Sequence, residues 1–258
     1  MSSHYKPQPL KAQAQPVSND APGLHLSVRT AALVGMIVAL VALFLTRLAV
    51  GSVSIPIEDI VRVLIGGEAS RATWTRIVLD FRLPHALTAV LAGAALGVGG
   101  LMMQTLFRNP LAGPFVLGIS SGASLGVALV VLTAGTAASA TTGALLAGIS
   151  LGSNLSIAGA AIAGAALTML VVVFVARYIS SSMTLLILGL MFGYFTSAMV
   201  SLLMYFSIPE QIQAYVSWTF GSFNGVTWRE MRILAPVIVA GLLLAFALSK
   251  SLNALLLG

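Results

Sequence analysis

Residues 81–126 read FRLPHALTAVLAGAALGVGGLMMQTLFRNPLAGPFVLGISSGASLG, and this stretch decides the fold. An arginine and a proline open it, a glycine-dense apolar run follows, Arg108-Asn109-Pro110 interrupts it, and a second glycine-dense run closes it. Pro110 cannot continue a helix and pushes its predecessor out of the helical region. Asn109 can satisfy the backbone groups freed in such a turn. The pattern predicts two membrane helices joined by a sharp polar break.

The rest of the chain agrees. Apolar residues make up 58% of its 258 residues and charged residues 8%, with a mean hydropathy of +1.01. A soluble domain of that length needs far more polar surface. Stretches without Asp, Glu, Lys or Arg run over Thr30–Thr46, Leu83–Phe107, Asn109–Ala176, Tyr178–Pro209 and Ile233–Ser249. At about 20 apolar residues per crossing they hold about six spans, expected near 28–50, 82–107, 115–133, 157–178, 183–206 and 231–250. The expected fold class is therefore an all-α polytopic membrane protein. Residues 1–27, with four prolines, read as a disordered tail, and 28–258 as one transmembrane domain. Gly51–Asp80 reads as an external loop with short helical pieces, Thr133–Ser156 as a loop, a re-entrant piece or the start of the fourth helix, and Ser207–Arg229 as a short surface helix and turn.

All seven acids, Asp20, Glu58, Asp59, Glu68, Asp80, Glu210 and Glu230, lie outside or at the edges of the apolar runs. Ion-coupled carriers usually keep a carboxylate at membrane depth to bind the coupling ion, and none is available. The formal charge of +6 comes from scattered Arg and Lys that suit interfacial anchoring in lipid rather than nucleic-acid binding. Cysteine is absent, and His4, His25 and His85 lack ligand spacing, so neither a metal site nor another cofactor is expected. No phosphate loop precedes any lysine, so ATP hydrolysis is not expected on this chain, and no catalytic arrangement of side chains can be assembled.

Several residues stand out inside the spans. Gly93 and Gly97, Gly118 and Gly122, Gly122 and Gly126, and Gly189 and Gly193 have the small-xxx-small spacing that lets helices approach closely. Gln104 is a polar side chain in an apolar helix, suited to an interhelical hydrogen bond or to a water-filled pathway. The fifth span carries a mildly polar face that fits either a pore wall or helix packing. Arg82 and His85, flanking Pro84, read either as interfacial anchors or as cations at an outer mouth that could meet a docking protein.

Residues 81–126, the run Arg108-Asn109-Pro110-Leu111-Ala112, and the spacing of Trp218, Gly221-Ser222 and Trp228 closely resemble the FecCD family, the permeases of bacterial ABC importers for iron chelates, haem and cobalamin. The resemblance runs from about Arg29 to Gly258 and implies a type II importer permease of about ten spans, of which this chain holds roughly the N-terminal six-tenths, up to the start of the coupling loop. It implies a homodimer in the bacterial inner membrane, two cytoplasmic ATPase subunits and a periplasmic binding protein. It also implies that Arg82 docks that binding protein, with His85 standing where the family has a second arginine. That Met191, Thr196 and Ser197 of the fifth span line a pathway is likewise what the resemblance implies. The charge distribution does not set the orientation; the resemblance implies a cytoplasmic N-terminus. The alternatives left open are a secondary carrier or channel, and a membrane scaffold that transports nothing.

Overall fold

The computed structural model describes residues 22–133, 153–179 and 181–257. Most of the expected tail, and residues 134–152 of the segment left open above, lie outside the described residues. Among the described residues, five helices are long and apolar enough to cross a membrane, and one further apolar helix is shorter. The chain is a multi-pass helical membrane protein.

Two compact units divide the chain, Met1–Arg47 and Leu48–Gly258. In the first, helix α1, Pro22–Ala49, starts six residues ahead of the expected position and presents exposed Leu33, Ile37, Leu40 and Leu43. Its polar Thr46 hydroxyl donates 2.7 Å to the Ala42 carbonyl, so no polar hydrogen is left facing lipid there.

The second unit contains α2 (Ile57–Leu64), α3 (Ala72–Arg76), a π-helical turn (Ile77–Arg82), α4 (Leu83–Phe107), α5 (Ile119–Val131), α6 (Ser153–Ala176), α7 (Ser182–Tyr205), α8 (Pro209–Thr219), α9 (Trp228–Ala247) and α10 (Ser249–Leu257). Helix does not begin near 82, as expected, but runs from Ala72 to Phe107. Pro84 has no N–H and would break an α-helical ladder at this point. The wider turn absorbs the break: the Leu83 N–H bonds the Val78 carbonyl, five residues back.

The third expected span is also altered. At 1.5 Å per residue, the 13 residues of α5 rise about 20 Å, short of a hydrocarbon core of about 30 Å. An irregular segment, residues 108–118, precedes it after the end of α4. The ends of the helices are matched by two long-range bonds. Trp228 Nε1 donates 2.8 Å to the Leu79 carbonyl, placing the start of α9 beside the π turn. The Ser207 hydroxyl donates 3.1 Å to the Leu132 carbonyl, placing the end of α7 beside the end of α5. Helix α9 itself begins where Thr227 and Glu230 form a capping box, the Thr227 N–H donating 2.9 Å to Glu230 Oε2.

Helices α5 and α6 meet through glycine. A Cβ on Gly122 would stand 2.7 Å from the Gly164 carbonyl oxygen, and one on Gly126 would stand 3.2 Å from the Gly164 Cα. A Cβ on Gly189 of α7 would likewise stand 2.9 Å from the Leu117 Cα. Gly93 and Gly97 differ: a Cβ there meets nothing within 4 Å, so among the described residues that pair packs against nothing.

Candidate functional site

Arg82 sits in the π turn and is 5% exposed. Its guanidinium donates to the carbonyls of Leu48, Ala49 (2.9 Å) and Val53, tying the connection after α1 to the start of α4. Gly51 leaves room for it, since a Cβ there would lie 2.8 Å from Arg82 Nη2. Arg82 is thus a buried side chain and not the exposed cation expected at an outer mouth, its planar N–H donors being matched to several carbonyls. His85, three residues on, is 9% exposed, so it is not displayed at a surface either.

The same connection holds a second polar knot. Asp59 lies outside the apolar runs and yet is only 4% exposed. It accepts from the Ser70 N–H (2.9 Å) and the Ser70 hydroxyl (2.8 Å), with Arg62 at 3.4 Å. The Ser70 backbone bond, then its hydroxyl, then the Arg62 charge hold the carboxyl below its ordinary value, against the opposing pull of burial. A lowered folded-state value stabilises the loop at all pH above the unfolded value of 3.8, and that stabilisation is lost as pH falls through the folded value. Exchange protection of the Ser70 amide in the parent is expected to start weakening as pH falls below 3.8 and to be lost only at lower pH, once Asp59 is protonated in the folded loop. In Asp59→Asn it is expected to be low already at neutral pH. Equal protection of the Ser70 amide in both proteins at pH 7 would contradict this.

The polar break expected at 108–110 is present. Arg108 closes α4 in the left-handed conformation at φ 47°. The Leu111 N–H donates 2.9 Å to Asn109 Oδ1, and the Gln104 amide donates 3.0 Å to the Pro110 carbonyl. Gln104 thus braces the break from the preceding helix. Successive turns carry the chain onward, with Val116 N–H to Gly113 O (3.2 Å) and Gly118 N–H to Phe115 O (3.0 Å). Gly118, at φ 72°, makes the final bend into α5.

This irregular segment lies against α7. Gly118 approaches the Gly189 carbonyl, seven residues into α7 and so about 10 Å from its start. Where they meet is a groove of about 570 Å³, lined among others by Phe115, Gly118, Ser121, Gly193, Tyr194 and Ser197. Of the pathway candidates, Ser197 lines it. Thr196 does not: it is 1% exposed, and its hydroxyl bonds the Phe192 and Gly193 carbonyls of its own helix. Met191 is 63% exposed and outside the groove lining.

Beside the groove, α8 packs its Tyr215 (4% exposed) into a core of Val127, Ala128, Leu132 and Val200. The Tyr215 and Ser124 hydroxyls are hydrogen-bonded, pinning α8 to α5. Tyr215→Phe is expected to cost about 1 kcal/mol and to raise hydrogen exchange in α8 selectively. Unchanged exchange in α8 would remove the pin from the account.

The FecCD transport family matches residues 38–258. The chain belongs to this family. It is 32% identical over 223 residues to the hemin transport system permease protein HmuU of Yersinia pestis, covering 86% of this chain and 62% of that protein. It is 31% identical to the ferric enterobactin transport system permease protein FepG of Escherichia coli, covering 81% of this chain and 58% of that one. A solved structure described as a metal-chelate type ABC transporter in an inward-facing conformation superimposes with a TM-score of 0.69 at 25% identity, covering 88% of this chain and 64% of that one. The matches thus span 49–62% of the length of these curated relatives and of a Helicobacter pylori permease.

In this FecCD chain, the side chains that shape the groove were only half visible beforehand. Ser197 was singled out, whereas Phe115 and Ser121 were not, because a residue in a lipid-compatible run gives no sign of facing a cavity. The signal that could have found them is the break itself: irregular backbone at membrane depth is tolerated where it is buried in protein or lines a cavity.

Proposed function

We propose that the full-length protein is the permease subunit of a binding-protein-dependent ABC importer that carries an iron chelate, haem or cobalamin across the bacterial inner membrane. Residues 28–258 are the N-terminal part of its transmembrane domain, with the N-terminus cytoplasmic. Two copies enclose the pathway, two separate cytoplasmic subunits hydrolyse ATP, and a periplasmic protein delivers the cargo. The family match over residues 38–258 carries this reading. The peripheral placement of the acids supports it against an ion-coupled carrier, since buried Asp59 belongs to a connecting helix and not to a span.

Arg108, Asn109, Pro110 and Gln104 shape the break, and Ser197 faces the route of the cargo. Arg82 and His85 serve docking indirectly, by fixing the rim on which the binding protein lands. Affinity purification of the full-length permease tests the assembly: an ATPase subunit is expected to co-purify, with hydrolysis stimulated by the cargo-loaded binding protein. A permease that retains no ATPase and shows no stimulated hydrolysis would favour the scaffold reading.

A further inference from the structure

The groove between the 113–118 turn and α7 has a lining that selects among cargoes. Two aromatic side chains stand there largely in the open, Phe115 at 63% and Tyr194 at 69% exposure, one from each of the elements that meet. Between these elements lie glycines, Gly118 and Gly193, and two small hydroxyl residues, Ser121 and Ser197. Among the described residues, none that lines the groove is charged. Its volume of about 570 Å³ falls in the range of small-molecule sites. Gly118 packs on the Gly189 carbonyl and Gly193 faces Ser121, so the two elements meet closely, and the exposed aromatic faces beside them favour stacked or edge-on rings over aliphatic chains. The first turn of α5 opens at Ser121 and adds the positive end of its dipole, which suits a negatively charged ring shell.

The location supplies a second, independent argument. Helix α5 is too short to cross, and the irregular backbone that precedes it is the part that lines the groove. Non-helical backbone at membrane depth persists where it borders a cavity, and interrupted helices of this kind mark substrate sites in transport proteins. We propose that this groove is a stacking site for the ligand shell of the cargo, and that the protein prefers metal chelates presenting flat aromatic rings, as in a catecholate chelate or a tetrapyrrole, over ring-free hydroxamate chelates. This rests on the permease reading above and narrows its substrate class.

The test uses the full-length permease assembled with its ATPase and binding protein, and three probes: a ferric tris-catecholate, haem and a ferric trihydroxamate. The two ring-bearing probes separate a catecholate from a porphyrin source of the same chemistry. Phe115→Leu and Tyr194→Leu are expected to reduce uptake of whichever ring-bearing chelate the parent carries by about threefold to tenfold. Tyr194→Phe, which keeps the ring, is expected to remain within about twofold of the parent. Both positions are exposed, so the leucine variants spare the packing. Membrane levels are measured alongside, and binding of the same probes to the detergent-purified complex, read by quenching of protein fluorescence, covers any variant that assembles poorly. A parent that favours the trihydroxamate, or leucine variants that leave ring-bearing uptake and binding unchanged or lower all probes equally, overturns the stacking site. A parent that carries no metal chelate at all overturns the permease reading, and the ring preference falls with it.

Discussion

Arg82→Ala is expected to lower the stability of the chain by about 3–5 kcal/mol, the largest effect of any single truncation in the connection between α1 and α4. The substitution removes a buried guanidinium and strips a donor from each of the Leu48, Ala49 and Val53 carbonyls, while the side chain's volume leaves a void beside Gly51. Arg82→Lys is expected to fall between parent and alanine: it keeps the charge, but an ammonium cannot reproduce a planar fork aimed at several carbonyls at once. Thermal unfolding of the purified chain, followed by helix circular dichroism, reads the effect. The opposite pattern would be an alanine variant that melts with the parent yet, in the full-length importer, loses affinity for the binding protein. It would return the guanidinium to the docking face and remove the cage from the account.

Gly122→Leu is expected to cost more than about 3 kcal/mol, because it lies at the close contact between α5 and α6. Its first added carbon alone would drive into Thr168 and stand 2.7 Å from the Gly164 carbonyl, and backbone cannot step aside as a flexible side chain can. Helices α5 and α6 would have to separate, and the α5 contacts with Tyr215 and Gly189 would move with them. Gly97→Ala serves as the control. A Cβ there meets nothing within 4 Å, so this variant is expected to melt with the parent or up to about 4 °C above it, as alanine favours the helix over glycine. If Gly122→Leu and Gly97→Ala behave alike, glycine spacing does not hold α5 to α6.

These two residues also show where sequence reading succeeds and where it stops. The spacing of Gly118, Gly122 and Gly126 pointed to close helix contact, and the contact exists; the same spacing at Gly93 and Gly97 meets no neighbour. Spacing reports that an approach is sterically allowed, while the partner is set by tertiary structure. The apolar runs located five spans because length and hydropathy suffice for that. They misjudged the start of the second helix, since Pro84 reads as a start signal and the π turn that carries the helix past it leaves no mark in the sequence. They also overestimated the third span, where one unbroken apolar run conceals a turn and a short helix.

Polar residues were the least legible. Asn109 in the break behaves as its residue type dictates, because its side chain bonds the backbone two residues on. Arg82, Asp59 and Thr196 could not be placed, as each is buried by partners that are distant in sequence or by its own helix. For an arginine near a span, anchoring at a lipid surface and capping carbonyls inside the protein look the same until the fold brings Leu48, Ala49 and Val53 to its side.

The central claim, ATP-driven import of a metal chelate, is tested most directly in proteoliposomes holding the full-length permease and its ATPase, with the loaded binding protein on the outside and ATP trapped within. Radiolabelled iron chelate or haem is expected to accumulate only with ATP and the binding protein together, and to continue when ionophores abolish every ion gradient. Accumulation that needs no ATP and stops with the ionophore would contradict the account and identify the protein as an ion-coupled carrier.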